Sequence, residues 1–247
     1  MSKVFITGST DGIGRGAAQE LLTAGHQVIV HARNPSRGQA VADLLDQGAQ
    51  LVTGDLARSE DVRDLAKQVN ALGRLDAVIH NAGVNGGTAG SPEILPVNVV
   101  APYLLTALID TPERLIYLSS GMHLSGSPDL DGLDWTGQRT TATYSDSKLL
   151  VTTLMAAVAR LYPEVLSNAV APGWVPTKMG GPAAPDDLRE GHLTQTWLAT
   201  SDDPDARTSG GYWYHHALEQ PHRAVTDIDF QDQLLTELAD CTGTPLP

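Results

Sequence analysis

Tyr144 and Lys148 place a phenol and an ammonium four residues apart, at the head of an apolar run (Leu149, Leu150, Val151, Leu154, Met155, Val158) with helical spacing. At i and i+4 both side chains leave the same face of a helix. A free tyrosine titrates near ~10, but a cation beside it favours the phenolate. Such a phenol can pass a proton to a carbonyl oxygen or take one from an alcohol. By itself the pair reads equally as a solvated lysine beside a half-buried tyrosine, so the elements that position it decide.

Lys3-Val-Phe-Ile-Thr7 reads as a short buried strand running into Gly8-Ser-Thr-Asp-Gly12-Ile-Gly14 and then a helical pattern through Ala17, Ala18, Leu21 and Leu22. A glycine-rich turn between strand and helix lets phosphates approach the N–H groups of the helix N-terminus. The spacing is Gly-x3-Gly-x-Gly rather than Gly-x-Gly-x-x-Gly, and a tight turn holding no ligand stays open as the alternative. Periodicity predicts strands at 3–7, 27–32, 50–53, 75–80, 114–119 and 165–171, with a short one near 211–214. Helices are expected at about 13–24, 36–47, 59–72, 94–109, 143–161, 186–199 and 228–240. This alternation predicts an α/β fold, a doubly wound parallel sheet with helices on both faces and the ligand across the carboxyl ends of the strands. Gly83 to Gly90, Gly180 to Asp187 and Ser201 to Asp205 read as loops, none long enough for an interdomain linker. One domain over 1–247 is expected, with 1–120 mainly binding cofactor and 121–247 carrying the catalytic helix, substrate loop and C-terminal segment.

With these motifs read in order, the chain resembles the short-chain dehydrogenase/reductase family over most of its length. Thr7-Gly8-Ser-Thr10-Asp11-Gly12-Ile13-Gly14 fits the family's glycine loop, and Asp55-Leu56 the pair that contacts adenine. Asn81-Ala82-Gly83 fits the segment closing the fourth strand. Pro172, Gly173, Val175 and Thr177 fall in the segment bordering the nicotinamide. Asn98, Ser120, Tyr144 and Lys148 match the catalytic tetrad. The resemblance implies that Ser120 orients the substrate oxygen, Tyr144 exchanges its proton, and Lys148 holds the nicotinamide ribose and lowers the Tyr144 pKa. Asn98 would anchor a water linking Lys148 to solvent.

The end of the second strand predicts the cofactor. NAD-selective members carry an acidic residue there; this chain has Ala32 followed by Arg33. A guanidinium can grip a 2′-phosphate in two prongs, whereas a carboxylate would repel it. NADP(H) is therefore expected, with Arg33 as main contact and Arg37 in support, although Asp11 stands where some NADP-using relatives have a basic residue. Arg15 and Arg37 also read as solvated helix residues.

The 121–143 stretch between Ser120 and Tyr144 is long and includes Met122, His123, Leu124, Leu133 and Trp135. In this the chain is similar to the retinol-dehydrogenase-like branch, which implies a lipophilic ketone or aldehyde, or the matching alcohol, as substrate. Met122, Trp135 and Trp174 are the expected substrate contacts, with Trp135 and Trp197 equally readable as packing residues. His123 reads as a loop histidine. His215 and His216, taken as strand neighbours, would point to opposite faces, and no Cys/His/carboxylate spacing calls for a metal.

The 29 acidic and 16 basic residues give a formal net charge of −13, which argues against nucleic-acid and anionic-membrane partners. The single cysteine, Cys241, excludes an internal disulfide and reads as an inert thiol. No run of eighteen apolar residues predicts a membrane span, nor is a signal peptide apparent, so a cytoplasmic location is expected. Relatives pair through the helices holding Asn98 and Tyr144, implying a homodimer or homotetramer, but the short stretch between Gly83 and Asn98 leaves that surface open to differ. Two rival functions remain at this point: an NADP-binding sensor or scaffold without turnover, and a sugar-nucleotide epimerase or dehydratase. The second lacks room for its longer C-terminal substrate domain.

Overall fold

Alternating aliphatic residues in the short strands bury both faces of one sheet. In the computed structural model, which describes residues 1–87 and 90–246, β1 (Lys3–Ile6) sends Phe5 to one side and Val4 and Ile6 to the other. β4 (Ala77–His80) and β5 (Arg114–Leu118) repeat the division: Val78, Leu115 and Tyr117 face one core, Ile79, Ile116 and Leu118 the other. Period-two alternation with apolar residues on both faces is what a helix-covered parallel sheet requires.

The strand order is β3-β2-β1-β4-β5-β6-β7-β8, with β2 (Gln27–Ala32), β3 (Gln50–Thr53), β6 (Leu166–Ala171) and β7 (Tyr212–Tyr214) all parallel to their neighbours. Only β8 (Ala217–Glu219) runs antiparallel, paired to β7. Chain order reverses between β1 and β4, which opens a crevice at their carboxyl ends. α1 (Gly12–Thr23) and α7 (Glu190–Thr200) cover one face. α4 (Ser59–Ala71), α5 (Ala101–Leu108), α6 (Tyr144–Leu161) and α8 (Ile228–Thr242) cover the other.

Four elements differ from the expectation. The helix expected at 36–47 breaks into α2 (Pro35–Gly38), a single turn at Gln39–Val41 and α3 (Ala42–Asp46). Gly38 lies so close to β3 that a Cβ there would come 2.6 Å from Leu51 Cδ2. The 94–109 helix contains a π-type turn at Pro96–Val100. The 186–199 helix starts only at Glu190. His215 and His216 are not in a strand: both have positive φ (45° and 63°) and form the two-residue turn between β7 and β8. That is the hairpin geometry usually given to Asn-Gly. Of the Gly83–Gly90 loop, residues 88 and 89 lie outside the described residues.

α8 packs along α6, and Phe230, Leu234 and Leu238 join Leu150, Leu154 and Met155 in one core cluster. The face of α6 turned away from the sheet is thereby covered by the chain's own C-terminal helix. Among the described residues no helix is long and apolar enough to cross a membrane.

Candidate active site

The glycine loop is drawn tightly against β4. Gly8 has φ +63°, and a Cβ there would come 2.9 Å from Ala82 Cβ; one on Gly14 would come 2.6 Å from the Gly8 carbonyl. The Thr7 hydroxyl accepts from the N–H groups of Asn81 and Ala82 (3.0 Å each), while Asn81 Nδ2 donates to the carbonyls of Thr7 (2.9 Å) and Gly8 (3.1 Å). His31, at 3% exposure on β2, completes the frame. Its Nδ1 accepts from Gly8 N–H at 3.0 Å, so the ring proton lies on Nε2 and is donated to the Gly54 carbonyl at 2.8 Å. The Asp11 side chain does not cap α1, which leaves first-turn N–H groups facing the crevice as an anion site. Asn81 Oδ1 is buried without a partner in the protein. A bare-backbone cradle, open helix donors and an orphaned acceptor together fit a dinucleotide.

Tyr144 owes its position to a capping box: Thr143 Oγ1 accepts from Asp146 N–H, and the Asp146 carboxylate accepts from Thr143 N–H at 2.8 Å. The helix therefore starts at Tyr144 and places Lys148 one turn deeper. Asp146 also accepts from Ser127 N–H at 2.8 Å, tying down the loop that follows Ser120. Ser120 begins a one-turn helix (Gly121–Ser125) and its Oγ accepts from Met122 N–H at 3.2 Å. Gly126 lets that turn press against α6, since a Cβ there would come 2.7 Å from both Leu149 Cβ and the Ser145 carbonyl.

Lys148, 4% exposed, donates to the Leu118 carbonyl at 2.7 Å, with its Nζ 5.5 Å from the Tyr144 ring centroid. Burial pushes its pKa down to about 8. Here the expected electrostatics need correcting. The Tyr144 pKa is raised, because burial outweighs the opposing effect of the Ser120 hydroxyl. The ammonium lies over the ring, and burial and the Ser120 hydroxyl are the influences that move the phenol in this state. The Asn98 side chain is held on three sides by the protein itself. Its Oδ1 accepts from Val84 N–H (2.8 Å), and its Nδ2 donates to the Val84 carbonyl and the Ser147 hydroxyl (2.9 Å each). It lies in the π-type turn, behind Gly83. Pro102, four residues on, has no N–H to return to the Asn98 carbonyl.

One cavity of about 1430 Å³ joins these parts. It is lined by Gly8, Thr10, Asp11, Gly12, Ile13 and Gly14 at one end, then Asp55, Leu56, Asn81, Ala82 and Gly83. Ser120, Tyr144, Lys148, Pro172, Gly173, Val175 and Thr177 follow, with Met122 and Trp174 towards the opening. Trp135 is not brought there, contrary to its expected substrate contact. It is 7% exposed, packs in the core beside α8 and donates its Nε1–H to Glu237 at 3.3 Å. The long loop turns its indole inward because the apolar α5–α6–α8 layer offers it more burial than the cavity does.

The sequence reading missed part of the wall. Tyr212, Tyr214 and Glu219 also line the cavity, as does Asp186, whose carboxylate accepts from Trp174 N–H at 2.5 Å. Tyr212 and Glu219 are register partners across the β7–β8 hairpin. β8 carries no hydrophobic alternation, so only the turn could have revealed it. At the other end Arg33 and Arg37 line the cavity together with Lys178. Asp11 Oδ2 holds Arg37 at 3.0 Å and Lys178 at 2.6 Å, while Arg33 Nε lies 3.9 Å from Asp55. Among the described residues no three His, Cys, Asp or Glu side chains group as a metal site.

Comparison with known proteins agrees with this geometry. The short chain dehydrogenase family profile matches residues 2–108. The short-chain dehydrogenase chry4 of Gibberella zeae is 35% identical over 257 residues, covering 100% of this chain and 99% of that one. Retinol dehydrogenase 13 of Homo sapiens is 31% identical over 198 residues, covering 72% of this chain and 60% of its own. A short chain dehydrogenase structure from Shigella flexneri, complexed with NADP, superposes with a TM-score of 0.70 at 25% identity, covering 87% of this chain and 97% of that one. A bare-backbone phosphate cradle continuous with a Ser–Tyr–Lys cluster, on a chain aligned end to end with such a relative, has one reading: this protein belongs to the short-chain dehydrogenase family.

Proposed function

We propose that the protein is an NADP(H)-dependent carbonyl reductase or alcohol dehydrogenase acting on a lipophilic ketone or aldehyde, or the matching alcohol. The observation that carries this reading is the shared cavity: the hydroxyls of Ser120 and Tyr144 and the ammonium of Lys148 open into the same space as the glycine loop. When bound, NADP(H) supplies or accepts the hydride. The glycine loop and α1 N-terminus would hold its pyrophosphate, Arg33 and Arg37 its 2′-phosphate, and Asp55 and Leu56 its adenine side. Prior binding of dinucleotides by relatives supports the class of cofactor; the absence of a carboxylate after β2 supports the phosphorylated form.

At the reacting carbonyl each residue has a separate task. Ser120 Oγ accepts a backbone N–H from Met122 and pairs with the Tyr144 phenol, so a substrate oxygen entering between the two hydroxyls would take its proton in place of Tyr144. Tyr144 gives that oxygen a proton in reduction and takes it back in oxidation. Lys148 stabilises the phenolate left behind and can pass a proton on, its lowered pKa making it a workable donor near neutrality. Asn98 holds the Val84 backbone and Ser147 in place, and its main-chain carbonyl would anchor a water towards Lys148. Met122, Trp174, Tyr212 and Tyr214 supply an apolar and aromatic wall, consistent with a substrate of moderate size and with the retinol dehydrogenase relative. Gly121 and Met122, the latter 53% exposed, carry that wall outward.

A carbonyl panel (aryl ketones, polycyclic ketones, long-chain aldehydes) tests the reading by following NADPH oxidation, with NADH in parallel. Turnover of at least one carbonyl, faster with NADPH, is expected. Binding of NADPH without turnover of any member would favour a sensor or scaffold instead, and equal or better use of NADH would overturn the cofactor assignment.

A further inference from the structure

His123 is buried completely, two residues past the turn's start, and both of its ring nitrogens are engaged. Nε2 lies 3.0 Å from the backbone nitrogen of His222, and Nδ1 lies 2.8 Å from the Ser120 carbonyl. A main-chain N–H can only donate, so Nε2 must be bare. The one proton of the neutral ring then sits on Nδ1 and is donated to Ser120. The ring also packs on Tyr212, centroids 4.4 Å apart and planes tilted by 42°.

The far end of this link is itself fixed. His222 Nδ1 accepts from Ala224 N–H at 3.1 Å, capping the turn Arg223–Thr226. Ala224 and Val225 in that turn are buried in the α5–α6–α8 core, and the Val225 carbonyl accepts from Gln231 of α8 at 2.8 Å. One imidazole thus connects the backbone of Ser120 to the C-terminal core and to the strand that supplies Tyr212 and Tyr214 to the cavity. The same turn carries Met122, so its placement sets both the serine hydroxyl and an apolar wall residue.

We propose that His123 is a positioning residue: its Nδ1–H, added to the main-chain N–H of His123 that the same carbonyl accepts at 3.0 Å, fixes the direction of the Ser120 carbonyl, and through it the Ser120 hydroxyl, relative to Tyr144. The inference rests on Ser120 orienting the substrate oxygen as argued above. It gives the long loop after β5 a function beyond lining the pocket. The two arms of the ring can be cut separately. His123→Asn keeps a donor near Nδ1 but does not reach His222, whereas His123→Gln keeps an acceptor near Nε2 but not the bond to Ser120. His123→Phe keeps the ring and its packing on Tyr212 and loses both bonds.

The experiment measures kcat and KM for a carbonyl that the wild type reduces, the Kd for NADPH, and the melting temperature of all four proteins. A serine hydroxyl displaced by a fraction of an ångström costs between about tenfold and a hundredfold in rate. His123→Phe and His123→Gln are expected to lose at least tenfold in kcat, with NADPH Kd within about twofold of wild type. His123→Asn should recover most of the rate even if it melts as low as the other two. A kcat for His123→Phe within twofold of wild type would overturn the proposal, as would losses in all three variants that follow melting temperature regardless of which arm is kept. If the wild type reduces no carbonyl at all, the proposed function fails first and this inference falls with it.

Discussion

Replacing Lys148 by methionine should abolish turnover and make the protein more stable at neutral pH. The wild-type ammonium is 4% exposed, and burial alone moves its pKa from 10.5 to about 8. At about 1.36 kcal/mol per pH unit, keeping that charge inside the fold costs about 3 kcal/mol at pH 7. Methionine fills a similar volume without the charge but leaves the Leu118 carbonyl without its 2.7 Å donor, at a cost of about 1–2 kcal/mol. The net gain is about 1–2 kcal/mol, or a Tm higher by roughly 2–8 °C for a chain of this size. Because the folded lysine pKa is lowered, the unfolded chain binds more protons between about pH 8 and 10.5. Wild-type stability therefore rises with pH through that window. The two proteins should cross: Lys148→Met melts higher at pH 7 and lower near pH 10. Differential scanning calorimetry of both, without cofactor, across pH 7–10 checks this. A variant that melts below wild type at pH 7, by a gap that stays constant to pH 10, would refute the claim that the ammonium is held at a desolvation cost.

Three further outcomes follow from the cavity ends and from α8. Arg33→Ser should raise the KM for NADPH by about tenfold to a hundredfold, the worth of a charge-assisted hydrogen bond, while steady-state kinetics with NADH change little. Asp11→Asn releases Arg37 and Lys178 from a shared carboxylate. The KM for NADPH should then fall several-fold at low salt, with the advantage fading in about 0.5 M salt as screening grows. Light scattering should give the mass of one chain, since α8 occupies the outer face of α6 that would otherwise be open to a partner; a dimer persisting at micromolar protein would show that another face pairs.

The sheet was legible because strand alternation and intervening helical periods are both strong in this chain. Every parallel strand was anticipated to within two residues or so, and β8 was not, because three exposed residues carry no pattern. The glycine loop could be read from spacing, and the structure supplies the reason for each glycine at Gly8 and Gly14, where a Cβ would strike backbone. The apolar run after Tyr144 marked the helix to within a residue, and the structure adds the Thr143–Asp146 capping box that fixes where α6 begins. What the sequence could not convey is how environment changes a familiar group. The Tyr144 phenol and the Lys148 ammonium both shift through burial, which neither spacing nor charge count reports. Trp135 reads from its place in the loop either as a pocket contact or as a packing residue, because loop position says nothing about which side of a turn an indole takes. His31 bonds Gly8 and Gly54, and His123 bonds His222 as well as nearby Ser120, so these contacts depend on a register that only the folded chain displays.

The most direct measurement is single-turnover reduction of a carbonyl found in the panel, comparing wild type with Tyr144→Phe under saturating NADPH. Loss of the hydroxyl with retention of the ring should lower the rate at least a thousandfold, an effect of about the size general acid catalysis provides, with NADPH Kd unchanged. Residual turnover above a tenth of the wild-type rate would mean that a different group protonates the substrate, and the proton-transfer role of Tyr144 would be wrong.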